Sequence, residues 1–200
     1  MLALPRLFCL VSSTDDLALL PALAEAGIDG FQVRDKTATT RELIELTRVV
    51  LGSVGEAMVV VDDRLDVALA AGAHGVHLGA DDLPVAAARE IARHSAPDLV
   101  IGATCRNRER VEAAAHDGAD YAGFGPLFST ESKSDLPDPF GLGALAGATG
   151  VLPLIGIGGL DAEKAGGARA AGAHGAAVIG AVWRQPDPVQ AAKELVAAVA

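Results

Sequence analysis

Gln32-Val33-Arg34-Asp35-Lys36, Asp62-Asp63-Arg64, Asp81-Asp82, and Thr130 with Ser132 and Lys133 form four short polar clusters that mix acids, cations and hydroxyls. Hard carboxylates close together suit Mg²⁺, which keeps waters and substrate phosphates as its other ligands. Ammonium and guanidinium groups beside them suit a polyanionic leaving group, whose developing charge they can stabilise. The mixture fits a metal-bound phosphate or diphosphate better than an apolar ligand. Each cluster begins where a short apolar run ends, at residues 29–31, 57–61, 75–79 and 119–125. Parallel α/β folds assemble active sites at the carboxyl ends of their strands, so this placement predicts a catalytic rim.

Asp63 follows the third apolar run and Asp82 the fourth, which puts both at one rim as candidate Mg²⁺ ligands. The alternative is that they cap the helices that follow, a role Asp fills readily and one that Asp62 and Asp81 could also take. Lys36 and Lys133 come from separate rim loops and would clamp an anion across the mouth. Arg34 and Lys36 are two apart and share a side if the strand extends that far. Thr104, Thr130 and Ser132 can donate neutral hydrogen bonds to a phosphate or a ring nitrogen.

Gly156-Ile157-Gly158-Gly159 and Ile179-Gly180-Ala181 close the seventh and eighth apolar runs. Barrels commonly bind phosphate there through backbone N–H groups, although such glycines can also serve only to permit tight turns. Their spacing does not fit the dinucleotide fingerprint. The histidines are less informative. His77 lies within the fourth run and reads as a core or rim residue, His74 and His174 stand at helix-to-strand joints on the opposite side, and His94 and His116 lie at helix ends. No Ser-His-Asp order or Cys/His metal spacing emerges.

The elements that must hold these clusters are legible from periodicity. Strands are expected at 7–11, 29–33, 57–61, 75–78, 99–103, 120–124, 153–157 and 175–179. Helices are expected at 15–26, 38–52, 64–71, 84–94, 107–117, 141–148, 161–171 and 187–199. Ser13-Thr14, Thr37 or Thr39, and Pro84 mark helix starts. Gly27, Gly72, Gly118 and Gly172 each sit where a helix hands over to a strand, which suits the left-handed position that ends a helix. Eight alternations across 200 residues predict a single-domain (β/α)₈ TIM barrel spanning residues 1–200, with a doubly wound open sheet as the runner-up. The Pro-, Ser- and Asp-rich stretch 129–139 falls inside one βα connection and reads as a lid rather than a domain boundary.

Composition agrees. Half the residues are hydrophobic but only 4% are aromatic, as expected where small branched side chains fill closely spaced layers. A net charge of −10 provides no basic face for nucleic acid. Cys9 and Cys105 are too few and too dispersed for a disulfide framework or a zinc site and are expected to be reduced. No apolar run approaches the ~18 residues of a membrane span, and Met1 to Arg6 carries no signal-peptide cleavage pattern. The expectation is a soluble cytoplasmic protein acting on small phosphorylated molecules, without nucleic-acid or membrane partners; a homo-oligomer is left open.

These segments resemble the thiamine-phosphate synthase family, which includes thiazole tautomerases, from about Leu7 to Val182. The most specific pieces are Gln32-Val33-Arg34-Asp35-Lys36, Gly75-Val76-His77-Leu78-Gly79 with Asp82, and the run from Asp120-Tyr121 through Gly125-Pro126-Leu127-Phe128-Ser129-Thr130-Glu131-Ser132-Lys133. The resemblance implies that hydroxymethylpyrimidine diphosphate and hydroxyethylthiazole phosphate combine to thiamine phosphate and diphosphate. It implies Gln32, Arg34, Lys36 and Lys133 as contacts of the pyrimidine diphosphate, and Asp63 and Asp82 as Mg²⁺ ligands. It implies Thr130, Glu131, Ser132, Gly159, Ile179 and Gly180 around the thiazole phosphate. Lys36, Lys133 and Arg34 would be the catalytic cations, helping diphosphate depart before the thiazole nitrogen attacks. Asp62 stands where the family usually has Asn, at a position the resemblance implies as a pyrimidine or phosphate contact. Thr104, likewise implied as a substrate contact, replaces a usual Ser, Ala80 a usual Gln and Gly180 a frequent Ser. Arg106 occupies a position often held by the His implicated as acid/base in the tautomerases, which disfavours tautomerase. A non-catalytic barrel that sequesters a phosphorylated metabolite is a further alternative.

Overall fold

The computed structural model describes residues 3–130 and 137–200. Alternation of side chains along each strand decides the architecture. In β1 (Leu7–Val11), Phe8 and Leu10 face one way while Leu7, Cys9 and Val11 face the other, and all five are buried. A strand buried on both faces belongs in a parallel sheet covered by helices. β2 (Gly30–Val33), β3 (Met58–Asp62), β4 (Gly75–Leu78), β5 (Val100–Cys105), β6 (Tyr121–Phe124), β7 (Leu154–Ile157) and β8 (Gly175–Val178) are likewise buried on both faces, except that Thr104 and Ile157 are partly exposed. Each strand pairs in parallel with the next, and β8 returns to β1 with Leu7 opposite Ala176 and Phe8 opposite Ala177. That closure excludes the open sheet.

The outward faces form one large core with the surrounding helices, and the inward faces form a second. Phe8, Leu10, Met58, Val60, Val100, Tyr121, Ile155 and Ala177 fill the barrel interior. Full burial of each large apolar side chain contributes about 1.5–3 kcal/mol. Two inward rings, those of Tyr121 and His77, require glycines opposite them. A Cβ at Gly102 would lie 2.2 Å from Cζ of Tyr121, and one at Gly123 would lie 2.8 Å from Cε1 of His77.

The helices are α1 (Leu20–Glu25), α2 (Thr40–Ser53), α3 (Leu65–Ala71), α4 (Val85–Ser95), α5 (Arg108–Asp117), α6 (Gly141–Ala148), α7 (Ala162–Ala170), α8 (Gly180–Trp183) and α9 (Pro188–Val199). Thr39 starts α2 with a capping box completed by Glu42. Gly27, Gly72, Gly118 and Gly172 all have φ between 77° and 106°, as the sequence predicted.

The first helix departs from expectation. Pro21 has no N–H to bond the Leu17 carbonyl four residues back, so that carbonyl takes the Leu20 N–H and the segment begins as a 3₁₀ turn at Leu17–Leu19. Its cap is Asp16, not Ser13 or Thr14. The four-residue helix α8 is absent from the periodicity reading because it is barely one turn long. No helix among the described residues is long and apolar enough to cross a membrane. Cys9 and Cys105 are free and buried, and burial pushes both thiols up, Cys105 to about 11.

Candidate active site

A cavity of about 580 Å³ opens at the carboxyl ends of the strands. Its acidic wall is built on β2, β3 and β4. Asp62 ends β3 pointing inward, buried, and accepts a hydrogen bond from Gln32 Nε2 on the neighbouring strand. Arg34 lies one residue past β2, its backbone held by the Val11 carbonyl at 2.8 Å, and its Nε meets Asp62 Oδ2 at 2.9 Å. The strand does not continue to Lys36. The turn nevertheless delivers Lys36 to the same wall, where its ammonium contacts Asp63.

Successive strand residues point to opposite faces, so Asp62 and Asp63 would not ordinarily share a cavity. Asp63 is the one non-glycine among the described residues with a left-handed backbone, φ 67°, and both carboxylates line the cavity. Such a conformation costs on the order of 1–3 kcal/mol and persists only when its surroundings impose it. Here the Asp63 N–H donates to the His77 carbonyl at 2.7 Å. Asp82 reaches in from the next loop, accepts the Gly79 N–H at 2.7 Å and shares a hydrogen bond with Asp63.

The helix-cap alternative fails for both aspartates. The residues at the helix starts are Arg64 for α3 and Pro84 for α4, and neither helix has a side-chain cap. The carboxyl oxygens face the cavity wall instead. Burial first, then the neighbouring Asp63 charge, pushes the Asp62 carboxyl up to about 7 against the pull of Arg34 and Gln32. Desolvation raises Asp63, but hydrogen bonds from Lys36 and Asp82 outweigh it and the net shift is downward. Desolvation and the bond to Asp63 move Asp82 upward. Two neighbouring carboxyl groups lining the cavity are residues that could hold a divalent metal. Among the described residues no group of three or more His, Cys, Asp or Glu offers a fuller cage. Two carboxylates are the number Mg²⁺ ordinarily takes from protein when phosphates and waters complete its shell.

His77, read from the sequence as a core or rim residue, is buried at the cavity floor. Its Nδ1 lies 3.1 Å from the Tyr121 hydroxyl and its Nε2 3.0 Å from Thr104 Oγ1. Burial pulls its pKa down to about 4. The far wall comes from β7 and β8. Gly158 and Gly159 have φ of 99° and 66°, and a Cβ at Gly159 would lie 2.2 Å from the Ser129 carbonyl oxygen, so the turn admits no side chain. Ile179 and Gly180 line the same side, as does Thr130.

Glu131, Ser132 and Lys133 lie outside the described residues. Arg106, Arg184 and Gln185 also line the cavity. Arg184 and Gln185 were missed from the sequence; the available signal was a cation one helical turn after the glycine that closes β8. His74 and His174 lie at the opposite end of the barrel, as expected.

The family model described as thiamine monophosphate synthase matches residues 7–182. A thiamine-phosphate synthase of Anaeromyxobacter dehalogenans is 43% identical over 195 residues, covering 96% of this chain and 86% of that protein. A thiamine-phosphate synthase of Chlorobium luteolum is 41% identical over 197 residues, covering 96% and 92%. Among solved structures, thiamine phosphate pyrophosphorylase from Pyrococcus furiosus superposes with a TM-score of 0.86 at 34% identity, over 97% of this chain and 95% of that one. A 3-hexulose-6-phosphate synthase at 22% identity and TM-score 0.78 shares the fold.

Proposed function

The chain belongs to the thiamine monophosphate synthase family, and we infer that it carries the activity of a thiamine-phosphate synthase, a transferase. The proposed reaction joins hydroxymethylpyrimidine diphosphate to hydroxyethylthiazole phosphate. The carbon–oxygen bond at the pyrimidine methylene breaks, diphosphate leaves with the electron pair, and the thiazole nitrogen lone pair forms the new carbon–nitrogen bond. An aminopyrimidine can delocalise positive charge at that methylene, so the barrier lies chiefly in stabilising the departing anion. No covalent nucleophile is required, in keeping with the absence of a triad from the sequence.

The observation that carries this reading is the convergence of Lys36, Asp63 and Asp82 at one wall of the cavity, beside Arg34. Asp63 and Asp82 would hold Mg²⁺, which when bound neutralises charge on the leaving diphosphate. Arg34 and Lys36 would donate to the same oxygens, joined by Lys133. Such preorganised charge can supply roughly 3–4 kcal/mol per donor. Gln32 and Thr104 line the side where the pyrimidine ring would lie. Backbone N–H groups at Gly159 and Gly180, with Ile179, Thr130, Glu131 and Ser132, are assigned to the thiazole phosphate. The proposed compartment is the cytoplasm, where polyanionic substrates are retained by the membrane.

Incubation of purified protein with both substrates and Mg²⁺ tests the assignment. Diphosphate and thiamine phosphate should appear in equal amounts. Isomerisation of a thiazole carboxylate alone, or tight binding without turnover, would overturn it.

A further inference from the structure

The floor of the cavity contains a hydrogen-bonded chain whose polarity can be read from its partners. Tyr121 on β6 is 2% exposed, and its hydroxyl has one partner among the described residues, His77 Nδ1. His77 Nε2 also has one partner among the described residues, Thr104 Oγ1, and Thr104 borders the cavity. The hydroxyl of Tyr121 is walled in by β5, since a Cβ at Gly102 would lie 2.5 Å from it.

A buried hydroxyl hydrogen without an acceptor is costly, so the Tyr121 O–H must donate to Nδ1. A neutral imidazole with a lone pair on Nδ1 carries its proton on Nε2. That N–H then donates to Thr104 Oγ1, which leaves the Thr104 hydrogen directed elsewhere. The opposite arrangement, with the proton on Nδ1, would strand the Tyr121 hydrogen. A doubly protonated ring would do the same, so the counting disfavours it at neutral pH. We propose that Tyr121 and His77 are positioning residues that fix the Thr104 hydroxyl as a hydrogen-bond donor to the bound ligand. The ligand atom opposite Thr104 must then offer a lone pair, which makes Thr104 a determinant of specificity.

Three inward positions serve this one chain. Gly102 and Gly123 clear the space for the Tyr121 and His77 rings, and Phe8 stacks on Tyr121 at 5.7 Å between centroids. The identity of the ligand, the pyrimidine diphosphate, rests on the proposed function; the tautomer does not.

Two measurements test the proposal. Two-bond ¹H–¹⁵N correlation spectra of the ¹⁵N-labelled protein, with His77 assigned by its loss in His77→Gln, should show the proton on Nε2. In Tyr121→Phe it should move toward Nδ1. In steady-state kinetics Thr104→Val should raise KM for the pyrimidine diphosphate about 3- to 10-fold, the range of one hydrogen bond, chiefly in KM rather than kcat. Thr104→Ser should recover the loss. Tyr121→Phe should raise KM in the wild-type background and add nothing to Thr104→Val. A wild-type proton on Nδ1, or fully additive effects of the two substitutions, would sink the proposal. Absence of any turnover would count against the synthase assignment, while the imidazole spectrum would still decide the tautomer.

Discussion

Arg34 and Asp62 form a 2.9 Å ion pair in which the carboxylate side chain is only 9% exposed. The pair lies at the edge of the cavity that the substrate anion must enter. Asp62 therefore competes with that anion for the guanidinium. Replacing Asp62 by Asn keeps an oxygen for Gln32 and removes the competing charge. Asp62→Asn is expected to lower KM for the diphosphate substrate about 3- to 10-fold, comparable to one charged hydrogen bond, with little change in thermal midpoint. A rise in KM would mean that Asp62 holds Arg34 in its working pose.

Asp63 and Asp82 share a hydrogen bond beside Lys36. If they hold the divalent ion, Asp63→Asn and Asp82→Ala should each lower kcat by about 100-fold or more, as removal of a preorganised charge does elsewhere. The fold should survive, because neither carboxylate caps a helix. Circular dichroism and turnover titrated against Mg²⁺ check both points. Normal activity at limiting Mg²⁺ in both variants would remove the metal assignment.

Gly102 gives the Tyr121 ring its place in the barrel interior. Gly102→Ala should destabilise the protein by about 1–3 kcal/mol, since the ring cannot retreat within a packed core without displacing a strand. Adding Tyr121→Val should recover much of that loss in denaturant unfolding. A single substitution without effect would show that the interior has unfilled space.

Asp35 ties the loop after β1 to the loop that presents Arg34 and Lys36. It accepts hydrogen bonds from the N–H and hydroxyl of Ser13, the N–H and hydroxyl of Thr37, and the N–H of Ala38. The Ser13 hydroxyl foremost holds its carboxyl well below the usual value of 3.8. A carboxylate with a depressed folded pKa stabilises the protein above its unfolded pKa, and that contribution is lost as pH falls through the folded value. The stability gap between wild type and Asp35→Ala should therefore be about 1 kcal/mol at neutral pH, allowing for solvent screening, and should close on acidification below pH ~4. Denaturant midpoints across pH measure it. A gap that widens in acid contradicts the assignment.

Much of the site was legible because barrel geometry converts linear position into spatial position. A polar residue just after an apolar run must appear at the mouth, which is how Gln32, Arg34, Lys36, Asp63 and Asp82 were found together. His77 was undervalued because a histidine inside a strand has no local signature of what it touches; its partners come from β5 and β6. Arg184 and Gln185 escaped because α8 is too short to leave a periodic trace. The first helix was drawn too long because the missing Pro21 N–H was not set against the Leu17 carbonyl that needed it.

Residue order alone settled the eight-fold alternation, the glycines that end four helices and the rim on which chemistry must occur, since strand period, helix period and left-handed backbone are local properties of a chain. Only the closed barrel decided that Asp62 pairs with Arg34 rather than capping a helix, that Asp63 turns left-handed to join it in one cavity, and that Tyr121 reaches Thr104 through His77. Those contacts depend on how neighbouring strands and the turns after them close around a polar group and exclude water from it.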